Sequence, residues 1–211
     1  MAELRFECLG ARAEAHAVAP TIALRVRITD SAPEGVHAIA LRCQLRIEPR
    51  QRQYTAAEAE LLDGVFGDTS RWGETLQALQ FAQVSLMVPA FTGCTEIDLP
   101  VPCGYDTEVA AGAYFAALDE GEIPLLLLFS GTVFARAAAG GFTVRPVPWH
   151  CEARCPLPVA VWRETMDHYF PGSGWLRLRT ETLRALLRYK SGHAIPTWDG
   201  VVERLLEKAG G

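Results

Sequence analysis

Two segments near the start of the chain alternate with a period of two. In residues 21–29 (TIALRVRIT), Ile22, Leu24, Val26 and Ile28 alternate with Ala23, Arg25 and Arg27. In residues 36–50 (VHAIALRCQLRIEPR), Ile39, Leu41, Cys43, Leu45 and Ile47 alternate with Ala40, Arg42, Gln44, Arg46 and Glu48. A strand sends successive side chains to opposite faces, so each segment has one face to bury and one to leave in water. The chain must therefore build a sheet with a core on one side. The DSAPEG between the segments is turn-rich, which predicts an antiparallel pair. Paired in that way, Arg25, Arg27, Arg42 and Arg46 align as a basic stripe on the outer sheet face. Such a stripe reads as a solvated surface diluted by Gln44 and Glu48, or as a docking surface for an acidic partner.

The remaining segments add strands and helices around that sheet. TAAE at 55–58 is a capping box with Thr55 as N-cap and Glu58 at N3, opening a helix with Leu61, Leu62, Val65 and Phe66 inward and Gly67 at its end. FAQVSLMV (81–88) and TEIDLPV (95–101) read as short strands, held to edges by Pro89, Pro100 and Pro102. A helix with Asp106 as N-cap follows, with Val109, Ala110, Ala113, Tyr114, Ala117 and Leu118 on one side. IPLLLLF (123–129) does not alternate and is bounded by turn residues, so it reads as the central strand, buried on both faces. GFTVRPVPWHCEARCPL reads as one further strand.

From Pro158 onward the pattern is helical. Val159, Trp162, Met166, Tyr169 and Phe170 form an inner stripe; Arg163 with Asp167 and Glu164 with His168 form i,i+4 pairs on the other side. Thr180 is expected to cap a second helix with Leu183, Leu186 and Leu187 inward. Thr197 is expected to cap a third, where Trp198, Val201, Val202, Leu205 and Leu206 recur at helical spacing. The layout predicts one α+β domain over residues 1–211. Antiparallel, sandwich-like sheet strands fall in 1–50 and 123–158, a mixed insertion in 51–122, and packed helices in 159–211.

Charge and composition remove several functional classes. Lys plus Arg number 20 against 25 Asp plus Glu, a formal net charge of −5, which argues against general nucleic-acid binding. The first twenty residues carry Glu3, Arg5, Glu7, Arg12 and Glu14, so they contain no continuous apolar core of a signal peptide. The apolar run at 123–129 is too short to cross a bilayer. A cytoplasmic protein without a membrane span is expected, and a homo-oligomer is compatible with it. Six scattered cysteines (Cys8, Cys43, Cys94, Cys103, Cys151, Cys155) form no CxxC pair and read as reduced, mostly buried thiols.

The densest cluster of chemistry-bearing residues is VRPVPWHCEARCPLPVAVWRETMDHYFPGSGWLRL, at 144–178. Thiolate and imidazole are zinc and iron–sulfur ligands. On an extended strand, however, Cys151 and Cys155 stand roughly 13 Å apart on one face and His150 points to the other. The same opposition separates His150 from Cys151 as base and nucleophile. Trp149, Trp162, Trp175 and Trp198 are expected to fill core space. Asp119, Glu120 and Glu122 read as a solvated turn, and no GxSxG, P-loop, GxGxxG or HExxH occurs. No catalytic residue, metal ligand or cofactor is assigned.

VPCGYDTEVAAGAYFAALDEGEIPLLLLFSGTVF, VPWHCEARCPLPVAVWRETMDHYFPGSGWLRL and IPTWDGVVERLL together resemble an uncharacterised bacterial family of about this length. That family's genes often sit beside uptake NiFe-hydrogenase and hydrogenase-maturation genes, notably in actinobacteria. The order of strands followed by LPVAVWRETMDHYFPGSGWLRLRTETLRALLRY is also similar to the SecB export chaperone at its C-terminal end. These resemblances imply a role in NiFe-hydrogenase assembly, holding an immature subunit or a maturation factor; the lack of a catalytic constellation makes the expected protein a non-catalytic, accessory or chaperone-like one, and the alternation of the two strands makes Arg25, Arg27, Arg42 and Arg46 its expected partner-binding residues. Two alternatives are a metal or iron–sulfur carrier using Cys151 and Cys155, and an enzyme with a pocket beside residues 50–122.

Overall fold

A computed structural model describes residues 4–103, 109–136, 141–172 and 178–210. The chain divides into two compact units, Met1–Pro171 and Gly172–Gly211. In chain order the first unit runs β1 (Leu4–Ala13), β2 (Thr21–Asp30), β3 (Val36–Ile47), α1 (Ala56–Phe66), α2 (Trp72–Thr75), β4 (Leu79–Val88), β5 (Cys94–Pro102), α3 (Val109–Ala117), β6 (Glu122–Arg136), β7 (Phe142–Pro146), β8 (Glu152–Pro158) and α4 (Val159–Tyr169). The second contains α5 (Thr180–Gly192) and α6 (Trp198–Ala209).

The fold is α+β, built on two antiparallel sheets. Sheet A has the order β1-β2-β5 and sheet B the order β4-β3-β6, with β7 and β8 end to end along the far edge of β6. Alternation does what the sequence predicts within each strand. Ile22, Leu24, Val26 and Ile28 of β2 and Ile39, Leu41, Cys43, Leu45 and Ile47 of β3 are all buried, and all belong to one core. Phe6 of sheet A stacks on Phe129 of sheet B with ring centroids 4.1 Å apart, so the two apolar faces oppose each other.

The expected β2–β3 pair does not form. β2 is flanked by β1 and β5, and β3 by β4 and β6. The DSAPEG link carries the chain from one sheet to the other, held by Asp30 N–H donating to Gly93 O and by mutual bonds between Val36 and Phe91. Placed side by side, the two strands would offer one apolar face with nothing opposite; placed in separate sheets, each covers the other. Residues 51–122 supply an edge strand to each sheet, β4 and β5, which is where Pro100 and Pro102 are tolerated.

The segment at 123–129 is central in sheet B, between β3 and β8, but it is not buried on both faces. Ile123, Leu125, Leu127 and Phe129 point into the core, while Leu126 and Leu128 are only partly buried. The expected single strand at 141–157 is broken into β7 and β8 by residues 147–151, with Val147 N–H donating to Gly131 O and Phe129 N–H to Cys151 O. Gly131 has φ +135°, and a Cβ there would collide with the Ala40 carbonyl oxygen. Only glycine lets β6 pass β3 at this point.

Helices close the core of the first unit. The Thr55–Glu58 capping box forms as expected, although Leu61 is exposed and the buried residues of α1 are Glu58, Leu62 and Phe66. On α3 the buried residues are Ala111, Tyr114, Phe115 and Ala117, a face rotated from the expected one that leaves Ala113 exposed. Asp106 lies outside the described residues. On α4, Val159 and Trp162 are buried as expected, but Arg163 pairs with Asp119 at 2.9 Å rather than with Asp167. The second unit differs more. Arg179, not Thr180, precedes α5, and Leu183 and Leu187 are exposed. Thr197 caps α6 through a bond from Gly200 N–H, yet Trp198 is 42% exposed, against 7% for Trp162.

Candidate binding face

The two sheets turn very different outer faces to solvent. On sheet A the register places Glu7, Arg27 and Glu96 side by side, and Arg25 beside Asp98. Arg27 meets Glu96 at 2.9 Å and Glu7 at 3.4 Å; Arg25 meets Glu96 at 3.1 Å and Asp98 at 3.2 Å. Hydrogen bonds from Arg27 and Arg25 hold the Glu96 carboxyl below the usual carboxylate range. Two of the four expected docking arginines are therefore already occupied by carboxylates of neighbouring strands. The expected single stripe of Arg25, Arg27, Arg42 and Arg46 does not exist, because β2 and β3 belong to different sheets whose inner faces meet.

Arg42 and Arg46 stand on the outer face of sheet B in another company. Arg46 lies between Gln80 and Leu126, and Leu126 is followed across the sheet by Arg154. One row along, Gln83, Gln44, Leu128 and Glu152 are neighbours, and in the next Ser85, Arg42 and Ser130. Arg42 is exposed and has no ion-pair partner among the described residues. Arg46 reaches Glu48 only at 3.6 Å, and Arg154 donates to the neutral Gln51 amide oxygen. The apolar content continues along this face in Phe134 and in the exposed Met87 and Val144, 63% and 65% accessible. Guanidinium groups set among partly buried leucines can take a carboxylate and an adjoining apolar side chain together.

Alternation in β3 singles out Arg42 and Arg46, whereas Leu126, Leu128 and Arg154 join the face only in the structure. Arg154 was available from alternation, since Cys151, Ala153, Cys155 and Leu157 point inward and Glu152, Arg154 and Pro156 outward. The leucines were hidden because a run of four carries no period.

The cysteine cluster is a seam between sheets. Cys8 of β1 and Cys155 of β8 form a disulfide, with Cα atoms 5.4 Å apart, joining the edge of sheet A to the edge of sheet B. This corrects the expectation of reduced thiols at both positions: alternation shows that each points inward, and the two edges happen to meet there. Cys151 is buried, and its thiol donates to Leu4 O. Cys43 and Cys103 are buried thiols, pushed up to about 12 by burial. Cys94 is exposed. A metal carrier built on Cys151 and Cys155 would first have to lose the disulfide. Trp149, expected in the core, is 93% exposed beside His150, and Trp175 lies outside the described residues.

Beside residues 50–122, where an enzyme pocket is the alternative expectation, lie a polar clasp and a cluster of aromatic rings. Arg52 bridges Glu58 at 2.6 Å and the carbonyls of Glu120 and Glu122, and Tyr54 and Tyr114 share a hydroxyl contact of 2.9 Å. Burial alone would raise the Glu58 pKa. Bonds from Asp119 N–H, Thr55 N–H and Arg52 outweigh it and hold the carboxyl below its ordinary range. Trp72 packs edge-on to Tyr54 and Phe66, and Phe115 against Phe81 and Trp162. An open hollow of about 580 Å³ lies at Asp119–Gly121, Ala160, Arg163, Glu164 and Asp167, and a smaller one of about 40 Å³ at Ala13–Ala15, Glu164, Thr165, His168 and Tyr169. Among the described residues no three His, Cys, Asp or Glu side chains are placed to hold a metal ion, and no helix is long and apolar enough to cross a membrane.

The fold and face define a two-sheet α+β protein with one outer face neutralised by its own ion pairs and the other open, basic and partly apolar. The chain belongs to the family of unknown function DUF6084, which it matches over residues 1–211. No curated protein matches it.

Proposed function

We propose that the protein is a non-catalytic accessory protein that holds a partner protein on the outer face of sheet B. The supporting observation is the setting of Arg42 and Arg46, which flank partly buried leucines and face glutamine and serine across the strands instead of carboxylates. On a chain of net charge −5, a local basic face of this kind selects an acidic segment that also carries apolar side chains. The resemblance to a hydrogenase-associated family makes an immature NiFe-hydrogenase subunit, or another maturation factor, the proposed partner. A holding function of this kind needs higher affinity for the immature form than for the mature one.

The test is a pull-down of hydrogenase subunits from strains grown with and without nickel, comparing wild type, Arg42→Glu/Arg46→Glu and Arg25→Glu/Arg27→Glu. Preferential recovery of the immature subunit is expected, lost at least tenfold in the Arg42/Arg46 variant and more salt-sensitive in wild type than in that variant. Equal recovery of mature and immature subunits, or equal loss in the Arg25/Arg27 variant, would discard the reading.

A further inference from the structure

The second unit carries exposed apolar side chains on both of its helices. Leu183 and Leu187 of α5 and Trp198, Val202 and Leu206 of α6 are between 40% and 66% exposed. Five large apolar side chains exposed on two short helices exceed the scattered exposure normal for a surface. The residues that fold the unit are others: Val201 is buried, Leu186, Ile195 and Leu205 are partly buried, Lys190 donates to Pro196 O, and Lys208 donates to the Tyr189 hydroxyl.

The charges bordering the two exposed stripes are complementary. On α5, Leu183 and Leu187 are each followed by an arginine, Arg184 and Arg188. On α6, Trp198, Val202 and Leu206 are each followed by a carboxylate, Asp199, Glu203 and Glu207. A step of one residue turns about 100° around a helix, and a step of four returns close to the same side. Each stripe therefore carries its charged border on the same side, basic on α5 and acidic on α6, with the same spacing of four. Arg184, Arg188, Asp199, Glu203 and Glu207 have no ion-pair partners among the described residues.

We propose that this surface is a self-association site: α5 of one copy packs on α6 of a second copy, and the two-fold symmetric contact is made twice. A two-fold interface brings residue i against j and j against i, which is the relation that a basic-edged stripe and an acidic-edged stripe on one chain satisfy. Two helices from each copy then enclose one apolar seam, as in a four-helix bundle. The acidic edge of α6 makes an anionic lipid surface an unfavourable occupant. The site uses none of the residues of the sheet B face proposed to hold a partner, so the dimer can form whether or not that reading stands.

The experiment measures molar mass by light scattering and sedimentation for the full chain over a range of concentrations. Wild type is expected at twice the 23.1 kDa of one chain. Arg184→Glu/Arg188→Glu and Asp199→Lys/Glu203→Lys should each be monomeric, since the reversed positions then oppose like charges. An equimolar mixture of the two variants should regain the doubled mass, because both contacts are again between opposite charges; a merely misfolded variant could not do this. Wild type that stays monomeric at all concentrations, with the α5 and α6 amides protected from exchange by its own first unit, would overturn the proposal. So would binding to anionic vesicles in place of the doubled mass, or a mixture that stays monomeric.

Discussion

Reduction of the Cys8–Cys155 disulfide should loosen the contact between the two sheets measurably. The bond closes a loop with a sequence separation of 147 residues. For a loop of that length the chain-entropy relation gives about 5 kcal/mol, and measured values are typically roughly 2–4 kcal/mol because native states relax and unfolded chains keep some structure. For a domain of this size each kcal/mol moves the midpoint by roughly 2–4 °C, so a loss near 3 kcal/mol corresponds to about 6–12 °C. The assay pairs thermal unfolding, with and without reductant, with a thiol count in denaturant. Four thiols (Cys43, Cys94, Cys103 and Cys151) should titrate before reduction, and Cys8 and Cys155 only afterwards. Cys8→Ser/Cys155→Ser should melt where reduced wild type does and be indifferent to reductant, while Cys94→Ser, at an exposed site, should behave as wild type. All six thiols titrating in unreduced protein, or a midpoint unmoved by reductant, would refute the argument.

Two further outcomes follow from buried groups. Gly131→Ala should cost more than about 2 kcal/mol, since it adds a positive-φ penalty to a collision with the Ala40 carbonyl; the urea midpoint checks this, and Gly141→Ala, where a Cβ meets nothing within 4 Å, isolates the strain of positive φ alone. Burial pushes the thiols of Cys43 and Cys103 up to about 12, from 9.0 for an ordinary thiol. Above pH 9 the unfolded chain therefore releases protons that the folded one keeps, and stability should be full below pH 9 and fall as pH rises toward 12. The loss is on the order of 1 kcal/mol per thiol per pH unit in that window, and a urea midpoint equal at pH 8 and pH 10 would contradict it.

Much of the fold was legible because its information is local. Alternation gives the inner face of β2 and β3 without reference to any neighbour, and the Thr55–Glu58 box is formed by residues three apart. What was not legible depends on which sheet a strand joins. DSAPEG is as good a link between sheets as it is a hairpin, and nothing within six residues says that β5 will flank β2. The candidate face inherits that difficulty: Arg42 and Arg46 read as a pair with Arg25 and Arg27 only if β2 and β3 are neighbours. The helical stripe of α6 is apolar in the sequence, but periodicity fixes a face and not what covers it. Trp162 meets Phe115 at 4.4 Å and is buried; Trp198 shows the same pattern and stands half in water.

The two outer faces show why an arginine count is a poor guide to a binding surface. On sheet A a salt bridge between exposed strands contributes little to stability, commonly below about 1 kcal/mol, but it has a second consequence. A partner carboxylate approaching Arg25 or Arg27 must displace Glu96, Asp98 or Glu7, so the net gain from contact is close to an exchange of equals. On sheet B an approaching carboxylate displaces only water from Arg42, and the neighbouring Leu126 and Leu128 lose water with it. At roughly 25 cal/mol per Å² of apolar surface, covering the parts of these two leucines that remain exposed adds a term that salt does not screen. Binding there should therefore combine a salt-sensitive part with a salt-insensitive one, and Leu126→Ser should weaken it without changing the salt slope, whereas Arg42→Glu should change that slope. A Leu126→Ser variant that bound as wild type does, at any salt, would reduce the face to its charges.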